Sequence, residues 1–328
     1  MNADLLHYRP WRGHFHPPGA SIWPITRVAV WMVLRRKMFW GLYALALSIF
    51  LMFFFGQYLL AWAETQSAEA TVSVGLIRTE PSRLIGLLRD VLKLNGRAET
   101  YRNFFWWQGY MVMILLALAG SVLVGSDFHF GSLPFYFSKP LSRWHYLAGK
   151  CLAVAFFVNL MTTVPALALF IQFGLLDSWD YFLRDGWVLG RLNWGDSLVS
   201  VRTPNPLLLG IIGYGLALSA CLSLILVATA SWLQRTVPLI MVWTTLFFFL
   251  RLLATALVDG LQYGPRWRLL DLWNDTYLVG SACLGMGVES FRSPHQPAVA
   301  EALTVLTGVC FLCLIYLNRR IRAVEIVR

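Results

Sequence analysis

The sequence predicts an all-α polytopic membrane protein with six transmembrane helices, and three observations carry that prediction. Of 328 residues, 58% are apolar and only 13% charged, against roughly half and about a quarter in a soluble domain. Mean hydropathy is +0.60. Six apolar runs reach the length needed to cross a bilayer, about 20 residues: 39–62, 104–125, 147–175, 207–232, 237–258 and 298–317. The net charge of +10 comes from 27 Lys and Arg against 17 Asp and Glu, and its distribution follows the helix ends rather than any nucleic-acid-binding stripe. This composition excludes a cytosolic globular enzyme, a disordered chain and a coiled coil.

The chain divides into a leading segment 1–38, a six-helix body 39–317 and a basic tail 318–328. His7, His14 and His16 precede Pro17 and Pro18 and read as a solvated tail rather than a metal site. Residues 22–34 are apolar but too short to cross, so they predict an interfacial amphipathic helix. Arg27, Arg35, Arg36 and Lys37 would anchor that helix among lipid headgroups. The first run stays uncharged from Phe39 to Glu64, too late and too long for a cleaved leader.

Residues 82–94 place Leu84, Leu87, Leu88, Val91 and Leu92 at helical spacing, a second surface helix. Trp179, Trp187 and Trp194 mark the 177–206 connection as an aromatic interfacial loop. Pro165 predicts a kink in the third run. The fifth run contains Arg251 and still spans. Its 13 Leu, Ile, Phe and Val residues contribute roughly −0.3 to −0.6 kcal/mol each near the helix centre, against roughly +2.5 to +3.5 for one Arg. Near the run's end, Arg251 is expected to snorkel to the interface. Residues 266–290 fit either a re-entrant excursion, with turns at Gly280, Gly285 and Gly287, or an ordinary loop.

Six spans put both termini on one side. Arg35, Arg36, Lys37, Arg319, Arg320 and Arg322 flank helix ends there, while 14 of the 17 acids fall on the other side. The positive-inside rule assigns both termini to the cytosol, in a cell membrane such as the bacterial inner membrane.

No catalytic or cofactor chemistry is legible. There is no G-x-S-x-G elbow and no H-E-x-x-H, and Gly149-Lys150 lacks the earlier glycine of a phosphate-binding loop. Cys310 and Cys313 lie mid-span without further ligands and read as small packing residues; the five cysteines are too scattered for a disulfide framework. The spans offer only Arg251 and Glu301 for coupling to ions. No metal, cofactor or nucleic acid is expected, and the chain is not expected to be an enzyme.

The informative stretch is the short connection between the second and third runs. It carries Asp127, Phe130, Gly131, Ser132, Leu133, Phe135, Ser138, Lys139, Pro140, Leu141 and Arg143. Gly131 and Pro134 permit turns, and Lys139 and Arg143 are four apart. So many bulky apolar groups in an exposed loop mark an interaction surface, and a short helix parallel to the membrane would suit force transmission from a soluble partner.

The run Asp127, Gly131-Ser132-Leu133, Ser138-Lys139-Pro140-Leu141-Ser142-Arg143, Tyr146 and Gly149-Lys150 resembles the cytosolic coupling loop of type-2 ABC exporter permeases. Leu34-Arg35-Arg36-Lys37 and the tail Asn318-Arg319-Arg320-Ile321-Arg322-Ala323-Val324-Glu325 are similar to the same family, with Lys139 where the family often has Arg. The resemblance implies a permease that dimerises with itself or a similar chain, in contact with membrane lipid. Two separate cytosolic ATPase subunits would dock on 130–143 and drive movement of a substrate of hydrophobic or amphipathic character. Two other readings remain: a membrane enzyme acting on lipids through groups such as Arg266, Asp271 and Asp275, and a non-transporting scaffold.

Overall fold

The computed structural model describes residues 18–65, 72–74, 77–79, 86, 93–94, 96–133, 136, 141–177, 189–191, 200–202, 206–286 and 295–321. In chain order its elements are α1 (Ile22–Leu34), α2 (Lys37–Thr65), the strands β1 (Val72–Val74) and β2 (Ile77–Thr79), α3 (Ala98–His129) and α4 (Arg143–Leu176). Strands β3 (Leu189–Arg191) and β4 (Ser200–Arg202) follow, then α5 (Leu207–Leu233), α6 (Thr236–Gly260), α7 (Leu272–Cys283) and α8 (Val299–Arg320). Each strand pair forms a three-residue antiparallel ladder, Val72 opposite Thr79 and Leu189 opposite Arg202.

The six long helices, α2 to α6 and α8, are each long and apolar enough to span a membrane, and the protein is a polytopic helical membrane protein. Helices apolar on all sides suit either a core or lipid, and this bundle uses both. Helices α3 and α5 supply much of the core, including Tyr101, Phe104, Phe105, Leu116, Tyr214, Leu222 and Leu226. Helices α2, α6 and α8 keep large apolar groups outward, such as Phe55, Leu252 and Leu312.

Successive spans alternate in direction. At one end, the α5–α6 turn leans on α3. Gly125 lies against the Gln234 backbone, where an added Cβ would come within 2.8 Å of the carbonyl oxygen, and the Ser121 and Thr236 hydroxyls are 2.7 Å apart. The α3–α4 connection shares this end. At the opposite end Gly210, near the start of α5, abuts the Cys283 backbone, and Arg266 pairs with Glu301 at 3.0 Å.

The short helix α1 is buried along Ile25, Ala29 and Val33, one turn apart, while Trp23, Arg27, Val28 and Trp31 face outward. Pro24 is tolerated in the first turn, where its missing N–H needs no partner. The inward face packs on α4: the Thr26 hydroxyl is 3.0 Å from the Gly149 carbonyl oxygen. The helix is thus docked on the bundle as well as amphipathic.

Two differences from the sequence expectation, both in α3, and one agreement, in α4, have physical causes. The second span starts at Ala98 instead of 104, because Thr100, Arg102 and Asn103 are polar yet buried, which a hydropathy window scores as loop. Its far end includes a π-helical turn, Ser121–Gly125, before Ser126–His129. The kink expected from Pro165 is present: Thr162 interrupts α4 with φ −116° and ψ −67°, because proline cannot donate to the Met161 carbonyl.

As far as it is described, the segment 266–290 folds back against the helix bundle. After α6, a 3-10 turn Pro265–Leu270 leads back toward the bundle. The Asp271 side chain then caps α7 by accepting from the Trp273 and Asn274 N–H groups at 3.0 and 3.1 Å. The Trp273 ring occupies the space beside Gly109 of α3, where any β-carbon would overlap it. Gly109 lies eleven residues past Ala98, about 17 Å along the helix at about 1.5 Å per residue. The surface helix expected over 82–94 lies outside the described residues except for 86, 93 and 94, and the tryptophans of 177–206 lie outside them altogether.

Candidate functional site

The α3–α4 connection is fixed from behind by a buried polar lock. Asp127 is carried on the last turn of α3 and is buried. Its Oδ2 accepts from the Tyr146 hydroxyl at 2.8 Å and pairs with Lys150 Nζ at 2.7 Å. Lys150 also donates to the Leu123 carbonyl at 2.6 Å, and its side chain is 1% exposed. A buried carboxylate and ammonium are tolerable only when paired and hydrogen-bonded, and here each completes the other. Because Asp127 and Leu123 belong to α3 while Tyr146 and Lys150 belong to α4, the lock ties the two spans together at this end.

The connection between them has its own local logic. Gly131 adopts φ +63°, the left-handed conformation that lacks a penalty only in glycine, and ends α3. The Ser132 N–H then returns to the Asp127 carbonyl at 2.9 Å. On the far side Ser142 opens α4 through a capping box with His145, satisfying N–H groups that a helix start leaves unpaired. Tyr136 packs its ring 5.4 Å from that of Tyr146. Burial, and secondarily the charge of Asp127, raise its phenol above the usual value, so it stays protonated.

In front of the lock the surface is apolar and open. Phe130 is 76% exposed and Trp144 52%, with Gly131, Ser142 and Arg143 exposed beside them and Ser132, Leu133 and Leu141 half-buried. Nearby, the Arg35 guanidinium lies 3.3 Å above the Trp31 ring, and Arg27, Arg36 and Lys37 are exposed. Of the sequence-predicted coupling residues, the structure thus brings Phe130, Gly131 and Arg143 to the surface and turns Asp127 inward. Phe135, Ser138, Lys139 and Pro140 lie outside the described residues. The lock itself is a pairing that sequence reasoning did not assemble, although Asp127, Tyr146 and Lys150 all stand in the run that resembles the permease loop.

A second polar cluster lies toward the opposite end. A cavity of about 270 Å³ is lined by residues including Trp106, Arg251, Asp259, Arg268, Asp271 and Asn274. Arg251, expected to reach toward the interface, is half-buried in the lining of this cavity. Its guanidinium sits 4.6 Å above the Trp106 ring and 5.6 Å from that of Tyr110, because an aromatic face is an available attraction for a cation in apolar surroundings. Asp259 and Arg268 form a two-pronged pair at 2.7 and 2.6 Å. Of the groups weighed for lipid chemistry, Asp271 lines this cavity, while Arg266 points away and is exposed. Asp275 is fully buried, and its carboxyl oxygens have no hydrogen-bond partner among the described residues.

Burial pushes the Asp271 carboxyl up to about 6, held there against further rise by the Asn274 N–H and by Arg251. For Asp275, burial first and Asp271 second push the value up to about 8. Of the two, Asp275 holds its proton the more tightly. Among the described residues no three His, Cys, Asp or Glu side chains converge as a metal site would require.

Compared with known protein families the chain matches none, and no curated protein is significantly similar to it in sequence.

Proposed function

We propose that this chain is the membrane permease subunit of a type-2 ABC transporter, coupling ATP hydrolysis by a separate subunit to movement of a substrate across the membrane. On this reading the α3–α4 connection faces the cytosol and two copies of the permease each receive one ATPase. Phe130, Trp144 and Leu141 fill a hollow on the ATPase, with Arg143 at the rim. The observation that supports it is the pairing of an exposed apolar surface at Phe130 with the Asp127–Lys150–Tyr146 lock directly behind. A push received at Phe130 and Trp144, which flank the lock on α3 and α4, reaches both helices together. Large, exposed apolar groups without such a purpose would cost solubility for no gain.

The chain has no phosphate-binding loop, so ATP turnover belongs to the partner. The sparsely charged spans favour a hydrophobic or amphipathic cargo. The direct test is co-purification with the ATPase encoded beside it, comparing the native chain with Phe130→Asp and Leu141→Asp. A charge buried at the centre of a docking surface costs several-fold to a hundredfold in affinity, so the expected result is loss of the ATPase from the complex with the permease still folded in the membrane. Undiminished association and ATP turnover in both variants would overturn the assignment.

A further inference from the structure

The cavity beside α7 carries a charge pattern that the coupling function does not use. Among the described residues four charged side chains line it, Arg251, Asp259, Arg268 and Asp271, and these four sum to zero. Two of them, Asp259 and Arg268, are spent on each other. The remaining two are not: Arg251 makes no hydrogen bond or ion pair with any described residue, and although its charge acts on Asp271 across the cavity the two do not close into an ion pair. Its guanidinium lies 4.6 Å from the centre of the Trp106 ring, and its N–H groups have no acceptor among the described residues. Asp271 uses Oδ1 on the start of α7, and its Oδ2 accepts from no described residue. Asn274, also on the lining, gives its amide N–H to Gln296 at 3.0 Å, which leaves its carbonyl oxygen without a described donor.

A cation and an anion that share one small cavity without meeting are complementary to a ligand carrying both charges. We propose that this cavity binds a small zwitterion of the phosphoethanolamine type, its anionic group on Arg251 and its ammonium between Asp271 and the Asn274 carbonyl oxygen. Guanidinium presents paired donors that match phosphate oxygens, and such charge-assisted bonds are the stronger class. The size agrees. At about 270 Å³ the cavity lies just below the usual range for drug-sized ligands, about 300 to 1,000 Å³, and admits a headgroup rather than a whole lipid. The wall formed by α6 turns Arg251, Ala254 and Thr255 inward while Leu252 and Leu253 are exposed outside, so acyl chains have an apolar helix to lie along while the headgroup enters. Asp275 is fully buried and is not part of the lining. The inference holds whether or not an ATPase docks at the other end.

The test uses the full chain in nanodiscs and reads retained lipid by native mass spectrometry. The probes are phosphatidylethanolamine, phosphatidylglycerol and, separately, free phosphoethanolamine in solution. The expected result is preferential retention of phosphatidylethanolamine over phosphatidylglycerol, reduced about tenfold in Arg251→Gln and in Asp271→Asn and unchanged in Arg266→Gln, whose side chain is outside the cavity. Saturable binding of free phosphoethanolamine without lipid preference, lost in the same variants, supports the same site with a soluble ligand. Equal retention of both lipids by the native chain with no binding of free phosphoethanolamine overturns the proposal, and this reading of the native chain decides even where a variant fails to fold. Preference that survives Arg251→Gln and Asp271→Asn also overturns it.

Discussion

Lys150 is the residue on which the loop end of the molecule turns. It sits in an apolar helix, almost wholly out of solvent, and is held by one carboxylate and one carbonyl. Removing one partner of such a pair leaves the other charge buried and uncompensated, which costs about 3–5 kcal/mol, whereas removing both is often near neutral. Lys150→Met is therefore expected to lower the melting temperature in detergent sharply, and Asp127→Asn combined with Lys150→Met is expected to recover most of that loss. A double variant no more stable than the single would show that the ion pair is not what holds α3 to α4. The lysine was visible in the sequence as a solitary cation inside an apolar run. Its partner was not, because Asp127 lies 23 residues earlier across a turn, and nothing in local pattern relates the two. Arg251 is the converse case: its cost of insertion was legible, but its destination over the rings of Trp106 and Tyr110 depends on how two different helices, α6 and α3, pack.

Among the elements, α7 was the least legible and is the most consequential. Its composition is semi-apolar and its length is 12 residues, so neither hydropathy nor periodicity distinguishes a helix folded back into the bundle from one lying outside it. What decides is a matched absence of side chain: Gly109 on α3 makes room for Trp273, and neither residue alone announces that. Gly109→Ala puts a methyl group where the indole already is, and overpacking of that kind costs about 1–3 kcal/mol. Gly308 in α8 is the control, since nothing lies within 4 Å of the position its β-carbon would take; there the same change gains up to about 1 kcal/mol from helix propensity. Thermal melting of the two variants is expected to move in opposite directions. Equal shifts would mean that α7 is not wedged against α3. By contrast, the six long helices were all found from apolar length alone, with errors only at ends where polar residues are buried or where capping, as at Ser142, continues the helix past its apolar stretch.

For the molecule as a whole, alternation of the spans places the connections at two ends, and the structure groups the α3–α4 and α5–α6 turns at one of them through Gly125, Ser121 and Thr236. The proposed function requires that end to be cytosolic. In a chain with its five native cysteines replaced, Phe130→Cys and Gln234→Cys are expected to react with a membrane-impermeant thiol reagent only after cells are opened, and Leu261→Cys in intact cells. Labelling of Phe130→Cys in intact cells would place the apolar surface outside and remove any cytosolic partner from it. Within this frame α6 has one more property. Two π-helical turns, Thr245–Phe249 and Ala256–Gly260, bracket the six residues Leu250–Thr255. Such a turn accommodates one surplus residue, and one residue corresponds to about 100° of rotation. The heading of Arg251 is thereby set by the first wide turn: with the same residues wound as regular α-helix, the guanidinium would be turned about a quarter-circle away from the Trp106 ring.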